Sequence, residues 1–293
     1  MNNQDNEKVF QKSNINWYPG HMAKTKREIK EKIDLIDIVF ELIDARIPLS
    51  SKNNDINDII KNKPRILVMT KTDLCDINIT NIWKEYYEKL GYKVILVDLI
   101  NNKNINLILN KTTNITKEIN KKREQKGLKP RRTRILILGI PNVGKSTIIN
   151  RLVGKKATNT GNKPGITKNL EWIRINENLE LLDTPGILWP KLEGKDIALN
   201  LSSMTAIKEE ILNKESVAIY IINTMIKYYK DNIINRYKLD NIEEDYDIVD
   251  ILDRIGKHIG AIRNNEVDYE KVYTIILKDL REGYLGKVTF DRI

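Results

Sequence analysis

The sequence GIPNVGKS, residues 139–146, follows directly on a short apolar run, residues 134–138. Two glycines with four residues between them, followed by lysine and serine, form the pattern of a phosphate-binding loop between a strand and a helix. The glycines let backbone N–H groups turn toward a phosphate, and the helix N-terminus favours the anion. We expect Lys145 to reach the β- and γ-phosphates of a nucleotide and Ser146 to ligate Mg²⁺. The other residues expected to contact the nucleotide here are Asn142, Val143, Gly144 and Thr147.

Short apolar runs alternate with helix-length segments along the first two-thirds of the chain. Besides residues 134–138, the strand-length runs are residues 38–43, 65–69, 93–97, 170–175 and 179–182. Helices are expected over residues 53–62, 81–90 and 105–122 and around Ile29, Ile33 and Ile36. This alternation predicts an α/β fold with about six mostly parallel strands, the last two forming a hairpin. From Thr205 onward the pattern lacks strands and predicts a separate, all-helical domain.

The segment Thr70-Lys71-Thr72-Asp73 follows one of these predicted strands. A carboxylate at Asp73 can accept two hydrogen bonds, from the ring N–H and the exocyclic amine of guanine. Adenine offers no such pair, so this residue type selects guanine. The aliphatic stem of Lys71 can lie along the plane of the base. All four residues are therefore expected to bind the guanine base.

Two further segments are expected to surround the phosphates. Asp183 opens the sequence DTPG at the end of the last predicted strand, where it can hold Mg²⁺ through a water molecule. The N–H of Gly186 can meet the γ-phosphate, so this segment would sense hydrolysis. Thr167, in the sequence PGIT, is the expected second hydroxyl on Mg²⁺.

The order of these segments is reversed relative to an ordinary GTPase, because Asp73 precedes Lys145 in the chain. The same strands can be connected in either order if the chain starts at a different surface loop. The sequence therefore predicts a circularly permuted GTPase domain. In such a domain the segment after Gly186 leads directly into the C-terminal domain.

Composition narrows the protein class. A single cysteine, Cys75, excludes an internal disulfide framework and a cysteine-rich metal module. No apolar run approaches the roughly 20 residues of a membrane span, and the N-terminus lacks a signal-peptide core, so we expect a soluble cytoplasmic protein without a membrane partner. The net charge of +10 is uneven, being +13 over residues 1–204 and −3 over residues 205–293. The lysines and arginines of residues 121–134 either form a solvated linker or contact phosphate.

Several motifs together resemble the YlqF/RbgA family of bacterial ribosome-assembly GTPases. They are WYPGHM (residues 17–22), DARIP (residues 44–48), residues 183–190 and the permuted order. The resemblance implies a polar tail over residues 1–16, a permuted GTPase domain over residues 17–200 and a helical RNA-binding domain over residues 205–293. It further implies GTP and GDP binding with Mg²⁺, and a monomer that acts in late maturation of the large ribosomal subunit. The implied partners are the subunit precursor, its rRNA and nearby ribosomal proteins, with hydrolysis stimulated by the subunit.

The resemblance also assigns roles in hydrolysis. Ras-like enzymes orient the attacking water with a glutamine at the position of Ile187, which cannot hydrogen bond through its side chain. The family points instead to His21 as the catalytic group, although an ordered turn histidine is the alternative. In relatives with this phosphate loop, the residue at Asn142 helps to bind a potassium ion, and the alternative here is a loop-capping asparagine.

This chain departs from the family at two places. Thr70 stands where relatives have asparagine, so this chain lacks an amide that ties the base-binding segment to the phosphate loop. We expect that guanine selection is retained and that binding is somewhat weaker. Residues 98–104 replace a glycine-containing base contact, so Asp98 and Leu99 are expected to bind mainly through backbone N–H groups. Two other functions stay open. The chain could be a nucleotide-gated RNA tether with negligible turnover, or a small-subunit assembly GTPase.

Overall fold

The computed structural model describes residues 20–60, 63–155, 170–188, 194–207 and 213–293. The predicted strands form one six-stranded sheet of β1 (Ile38–Asp44), β2 (Arg65–Thr70), β3 (Lys93–Leu96), β4 (Thr133–Gly139), β5 (Glu171–Arg174) and β6 (Leu179–Asp183). Their order across the sheet is β3-β2-β1-β4-β6-β5. All neighbouring pairs are parallel except β5 and β6, which are antiparallel. The prediction of six mostly parallel strands ending in a hairpin is confirmed.

The central strands are mostly apolar because both of their faces are covered. Every residue of β1 is buried, and its alternate side chains enter different core clusters. Such continuous burial is typical of parallel strands with helices on both sides. Phe40 packs on one face of the sheet, while Val39 packs on the other, against Ile29 and Ile33.

Helices cover both faces of the sheet. The helices of this part are α1 (Gly20–Lys32), α2 (Asn57–Ile60), α3 (Ile77–Lys89), α4 (Ile105–Glu124) and α5 (Lys145–Val153). Helix α3 starts earlier than predicted because the side chain of Asp76 caps it, accepting hydrogen bonds from the N–H groups of Asn78 and Ile79. The expected helix over residues 53–62 is a 3-10 turn, Asn54–Ile56, followed by the short α2 within the described residues.

The rest of the chain is mainly helical, but it contains one small hairpin that the prediction of an all-helical domain did not include. Its helices are α6 (Lys195–Ser203), α7 (Lys214–Tyr237), α8 (Ile248–His258) and α9 (Tyr269–Glu282). The hairpin joins β7 (Ile262–Arg263) to β8 (Glu266–Val267). Its two-residue turn consists of Asn264 and Asn265, whose φ angles of 52° and 63° suit a tight hairpin. No helix in the described ranges is long and apolar enough to cross a membrane.

The helical part and the sheet part share one continuous core. Leu42 and Ile137 of the sheet belong to the same buried cluster as Ile221 of α7 and Ile276 of α9. Helix α6 packs on α7 and α9, although it lies at the proposed division of the chain at residues 200–205. Residues of the sheet and of the C-terminal helices are therefore buried together in one core.

Candidate nucleotide-binding site

The strand order places a crevice at the carboxyl ends of β1 and β4. The chain proceeds from β1 to β2 and β3 on one side of this crevice, and from β4 toward β6 on the other. In open parallel sheets, ligands bind outside the strand ends at such a reversal. The phosphate loop (residues 139–146) follows β4, and the base loop (residues 70–76) starts at the last residue of β2. Both predicted segments therefore reach the same edge of the sheet.

The phosphate loop has the backbone geometry that its sequence requires. Asn142 and Gly144 have φ angles of 60° and 103°, and α5 begins immediately after Gly144. A Cβ atom added to Gly144 would lie 3.0 Å from Leu99 Cδ1, so the loop packs closely on the segment after β3. Asparagine and glycine tolerate positive φ better than other residues. The start of α5 therefore lies at the crevice, directly after the phosphate loop.

Lys145 lies inside the phosphate loop. Its Nζ donates hydrogen bonds to the carbonyl oxygens of Gly139 at 3.0 Å and Ile140 at 2.9 Å, and the side chain is buried. Burial lowers the pKa of Lys145 to about 8, while the negative charge of Asp183 opposes this effect. The structure thus brings together the lysine of the phosphate loop and the carboxylate at the end of β6.

Thr70 connects the base loop to the phosphate loop. Its hydroxyl lies 2.6 Å from the carbonyl oxygen of Val143 and 3.1 Å from that of Ile43, and both the residue and these contacts are buried. The Thr70 hydroxyl therefore joins the two loops although the amide of asparagine is missing, while the expected weaker binding stays a prediction. The short threonine side chain reaches the Val143 carbonyl because β1 brings the two loops close together.

A buried ion cluster supports the base loop from β1. Arg46 donates two hydrogen bonds to the carboxylate of Asp44, through Nε at 3.0 Å and Nη2 at 2.8 Å. Lys71 Nζ lies 3.6 Å from the same carboxylate. Burial alone would raise the pKa of Asp44, but the charges of Arg46 and Lys71 lower it to about 2. The ion pair was not predicted beyond the place of both residues in the DARIP motif, although an acid at the end of a central strand, followed two residues later by arginine, indicates such a pair.

Asp73 lies half-buried in the base loop. Burial raises the pKa of its carboxyl, and the nearby charge of Asp98 adds to this effect, while Arg46 and Lys71 oppose it. Thr72 is likewise half-buried. The structure therefore places the proposed base reader in the same neighbourhood as Lys71 and the loop after β3.

Asp98 shapes the loop after β3. Its carboxylate accepts hydrogen bonds from the N–H groups of Ile100 and Asn101 and from the Asn101 side chain, at 2.7–3.0 Å. Burial would raise the pKa of Asp98, but these hydrogen bonds lower it overall. Its backbone N–H donates to the carbonyl of Lys103 at 3.3 Å. Leu99 is buried beside Gly144 of the phosphate loop, and the contribution of both residues to nucleotide binding stays a prediction.

Oxygen donors suited to Mg²⁺ lie around the phosphate loop. Ser146 and Thr147 are half-buried in the first turn of α5, and Asp183 is buried at the end of β6. A hydroxyl and a carboxylate are the hard oxygen ligands that Mg²⁺ prefers. The residues present therefore fit this ion. Thr167, the expected second hydroxyl, lies outside the described residues.

The segment after Asp183 packs against the start of the phosphate loop. A Cβ atom on Gly186 would lie 2.6 Å from the Cα and N atoms of Pro141, so only glycine fits without a backbone shift. The N–H of Ile187 donates to the Gly139 carbonyl at 3.2 Å. A movement of the phosphate loop must therefore move this segment.

The side chain of Ile187 is buried and packs in the core formed with α1. It shares a cluster with Ile29 and Ile33 of that helix, and its carbonyl accepts a hydrogen bond from Asn53. Ile187 is thus a packing residue. His21 belongs to the first turn of the same helix α1. The helix that contains the proposed catalytic residue is therefore fixed on the segment after Asp183.

Asn142 contacts the helical part, at the turn that follows α6. Its Nδ2 donates to the carbonyl oxygen of Thr205 at 2.7 Å and lies 3.2 Å from the Thr205 hydroxyl. The two roles expected for Asn142 are a potassium ligand and a loop-capping asparagine. The observed contact joins the phosphate loop to the connection that leads into α7.

Replacing Thr70 with valine tests the connection between the two loops. Thr70→Val keeps the branched shape but removes the hydrogen bond to Val143, so we expect GDP binding to weaken about threefold to tenfold. Thr70→Ser keeps the hydroxyl and should bind GDP nearly as the unmodified protein does. Titration of a fluorescent GDP analogue measures both affinities. Equal affinities of the valine and serine variants would contradict the inferred role.

The lowered pKa of Lys145 predicts proton uptake on nucleotide binding. At pH 8 about half of these lysines are neutral in the free protein, and a bound phosphate favours the charged form. Affinity for GDP should fall as the pH rises above 8, approaching about tenfold per pH unit. Calorimetry at pH 8 in buffers of different ionisation enthalpy measures the proton directly.

Lys71 provides the control for this experiment, because burial also lowers its pKa to about 8. Lys71→Gln should retain the proton uptake that comes from Lys145. Binding of GDP without any proton uptake by the unmodified protein would contradict the assignment.

Comparisons with known proteins agree with this geometry. Residues 134–263 match the family model described as 50S ribosome-binding GTPase. The chain is 44% identical over 279 residues to ribosome biogenesis GTPase A of Bacillus licheniformis, covering 95% of this chain and 98% of that protein. It is also 44% identical over 278 residues to ribosome biogenesis GTPase A of Bacillus cereus, covering 94% and 93%.

The solved structures show the same fold. GDP-bound TM YlqF matches with a TM-score of 0.67 at 23% sequence identity, covering 90% of this chain and 98% of that one. Since the sequence matches extend over nearly the whole chain at 44% identity, the chain belongs to the ribosome biogenesis GTPase A family.

Proposed function

We propose that this GTPase binds the immature large ribosomal subunit, hydrolyses GTP when the subunit stimulates it, and then leaves. The observation that carries the proposal is the hydrogen bond between Thr70 and Val143, which joins a guanine-selective loop to a phosphate loop. The family model described as 50S ribosome-binding GTPase supports the choice of subunit. We infer that the protein acts in the cytoplasm as a monomer.

Nucleotide recognition is divided between the two loops. Asp73 accepts the hydrogen bonds of guanine, and the stem of Lys71 lies along the base, with Thr70, Thr72, Asp98 and Leu99 shaping the pocket. Lys145 meets the β- and γ-phosphates, and the N–H groups at the start of α5 hold their oxygens. The other residues of this pocket are Asn142, Val143, Gly144, Ser146, Thr147 and Gly186.

Ser146 and Thr167 are the proposed hydroxyl ligands of Mg²⁺, and Asp183 holds the ion through water. When bound, Mg²⁺ neutralises charge on the β- and γ-phosphates. Lys145 lies near Asp183, so the lysine and the metal site act on the same phosphates.

The attacking water needs a group other than Ile187, whose side chain is buried. We assign this role to His21, because histidine can exchange a proton near neutral pH. Helix α1, which contains His21, packs on Ile187 through Ile29 and Ile33. A subunit that contacts α1 could therefore change hydrolysis without touching the nucleotide, which supports stimulation in the assembled complex.

We propose that rRNA phosphates contact a basic surface at the end of α4. Three cations of this region form hydrogen bonds within the protein. Arg123 binds the Lys129 carbonyl, Arg131 binds Asp37 and Arg134 binds Glu180. The exposed cations that form no ion pair with described residues are Lys121, Lys122, Lys126, Lys129 and Arg132. Such a cluster matches the charge of an RNA backbone. The helical part, with a net charge of −3, would add contacts of a different kind.

Hydrolysis rates with and without ribosomal subunits test the proposal. We expect purified immature large subunits to raise the GTPase rate at least tenfold, and small subunits to leave it unchanged. His21→Ala should lose most of the stimulated rate while still binding GDP. A protein that sediments with large subunits but shows no stimulation would be a nucleotide-gated tether, a function that the buried Ile187 favours. Stimulation by small subunits alone would indicate the other alternative.

We also propose that Asn142 helps to bind a potassium ion beside the phosphates. A monovalent cation there would offset the negative charge that develops during hydrolysis, as an arginine finger does. GTP turnover should then be faster in potassium than in sodium chloride at equal ionic strength, and Asn142→Ala should remove most of the difference. Equal rates of the unmodified protein in the two salts would contradict this role.

A further inference from the structure

The end of the chain returns to the nucleotide side of the sheet. The tail segment (residues 288–292) follows α9 and a short turn, and its first four residues are buried. The N–H of Val288 donates to the carbonyl of Leu74 at 3.1 Å, within the base loop. The N–H of Phe290 donates to the carbonyl of Arg46 at 2.7 Å. The tail segment is thus bonded through its backbone to both the base loop and the loop after β1.

Side chains of the tail segment strengthen this attachment. Thr289 Oγ1 lies 3.3 Å from the carbonyl oxygens of Ala45 and Asp76, and 3.1 Å from the hydroxyl of Thr80. The carboxylate of Asp291 accepts hydrogen bonds from the N–H and hydroxyl of Ser50, both at 2.7 Å. These buried contacts hold the tail segment in one position against the start of α3.

Tyr229 of α7 meets the base loop at the same place. Its hydroxyl lies 3.1 Å from Asp76 Oδ2 and 3.1 Å from the Thr289 carbonyl, and accepts a hydrogen bond from the Thr289 N–H at 3.0 Å. Arg292 also donates to this hydroxyl at 3.1 Å. The backbone of Tyr229 departs from helical geometry inside α7, with φ −142° and ψ 41°. The bend in α7 therefore coincides with the contact to the base loop.

The base loop is consequently held at both ends by different parts of the molecule. At its start Thr70 bonds to the phosphate loop through Val143, and at its end Asp76 bonds to Tyr229. Asp73 lies between these two attachments. A bidentate contact to guanine tolerates little displacement of the carboxylate. The contact at Asp76 should therefore affect the position of the Asp73 carboxylate relative to the base.

We propose that Tyr229 is a positioning residue for guanine recognition, acting through Asp76 and the tail segment to hold the base loop. Nucleotide affinity then depends on how the helical part is docked, and rRNA that displaces the helical part would loosen the nucleotide. By linkage, the bound nucleotide would change affinity for the subunit by the same factor. This inference rests on the proposed role of Asp73 as the base reader.

The matched pair Tyr229→Phe and Tyr269→Phe tests the proposal. Each substitution removes one tyrosine hydroxyl that bonds to an aspartate, because Tyr269 donates to Asp253 Oδ1 at 2.5 Å. The second bond joins the start of α9 to α8, and neither partner has a contact with the base loop among the described hydrogen bonds. GDP affinity and dissociation rate are measured with a fluorescent GDP analogue, and thermal melting is measured alongside.

We expect Tyr229→Phe to bind GDP about threefold to tenfold more weakly, mainly through faster dissociation, and Tyr269→Phe to bind within twofold of the unmodified protein. Thr289→Val should weaken binding in the same direction, and Thr289→Ser should restore it. Equal GDP affinities of Tyr229→Phe and Tyr269→Phe, at similar melting temperatures, would overturn the proposal. If Tyr229→Phe does not fold, the two Thr289 variants decide the question in the same way.

A separate arm tests the base reader itself. Asp73→Asn should shift preference from guanine toward xanthine nucleotides, because the amide can pair with the xanthine carbonyl. If this shift fails, the proposed nucleotide site is wrong. If the shift occurs and Tyr229→Phe still binds as Tyr269→Phe does, only the positioning role is wrong.

Discussion

The nucleotide site depends on the short hydrogen bond between the Thr70 hydroxyl and the Val143 carbonyl. The two loops that it joins are 73 residues apart in the sequence and belong to strands separated by β1. A pocket for guanine and its phosphates requires that both loops hold one distance and one orientation. This buried contact sets that distance, and Asp44 and Arg46 support the base loop from the strand between them.

The permuted order gives the C-terminal part direct access to the site. After Asp183 and Gly186 the chain enters α6 and α7, and the tail segment then returns to the base loop. Both halves of the pocket consequently contact C-terminal residues, the phosphate loop through Asn142 and Thr205 and the base loop through Asp76 and Tyr229. These contacts join both halves of the pocket to the helical part, and the proposed coupling between nucleotide and ribosomal partner rests on them.

Much of the architecture followed from local sequence patterns. The six strands, their parallel arrangement and the hairpin were predictable, because continuous apolar runs between helical segments leave few alternatives. The phosphate loop was recognisable because the chemistry of phosphate binding requires a few residue types at fixed spacing, and the same reasoning underlies the proposed role of Asp73. The early start of α3 could have been predicted from Asp76, an N-cap residue next to the apolar helix.

The remaining features depend on contacts between distant residues. The hydrogen bond from Thr70 to Val143 was not predictable from side-chain chemistry alone, since it depends on the packing of β1 between the two strands that end in these loops. The N–H of Asp98 is used inside its own loop, which spacing does not indicate. The bonds among Asp76, Tyr229 and Thr289 join residues 60 to 213 positions apart, and no local pattern predicts them.

A crystal structure of the complex with GDP and Mg²⁺ tests the central claim most directly. The account predicts guanine N1 and N2 within hydrogen-bond distance of the Asp73 carboxylate, and the β-phosphate at the start of α5 beside Lys145. Thr70 would remain bonded to Val143 in that complex. A guanine ring bound away from Asp73, with the phosphates still in the loop, would contradict the account.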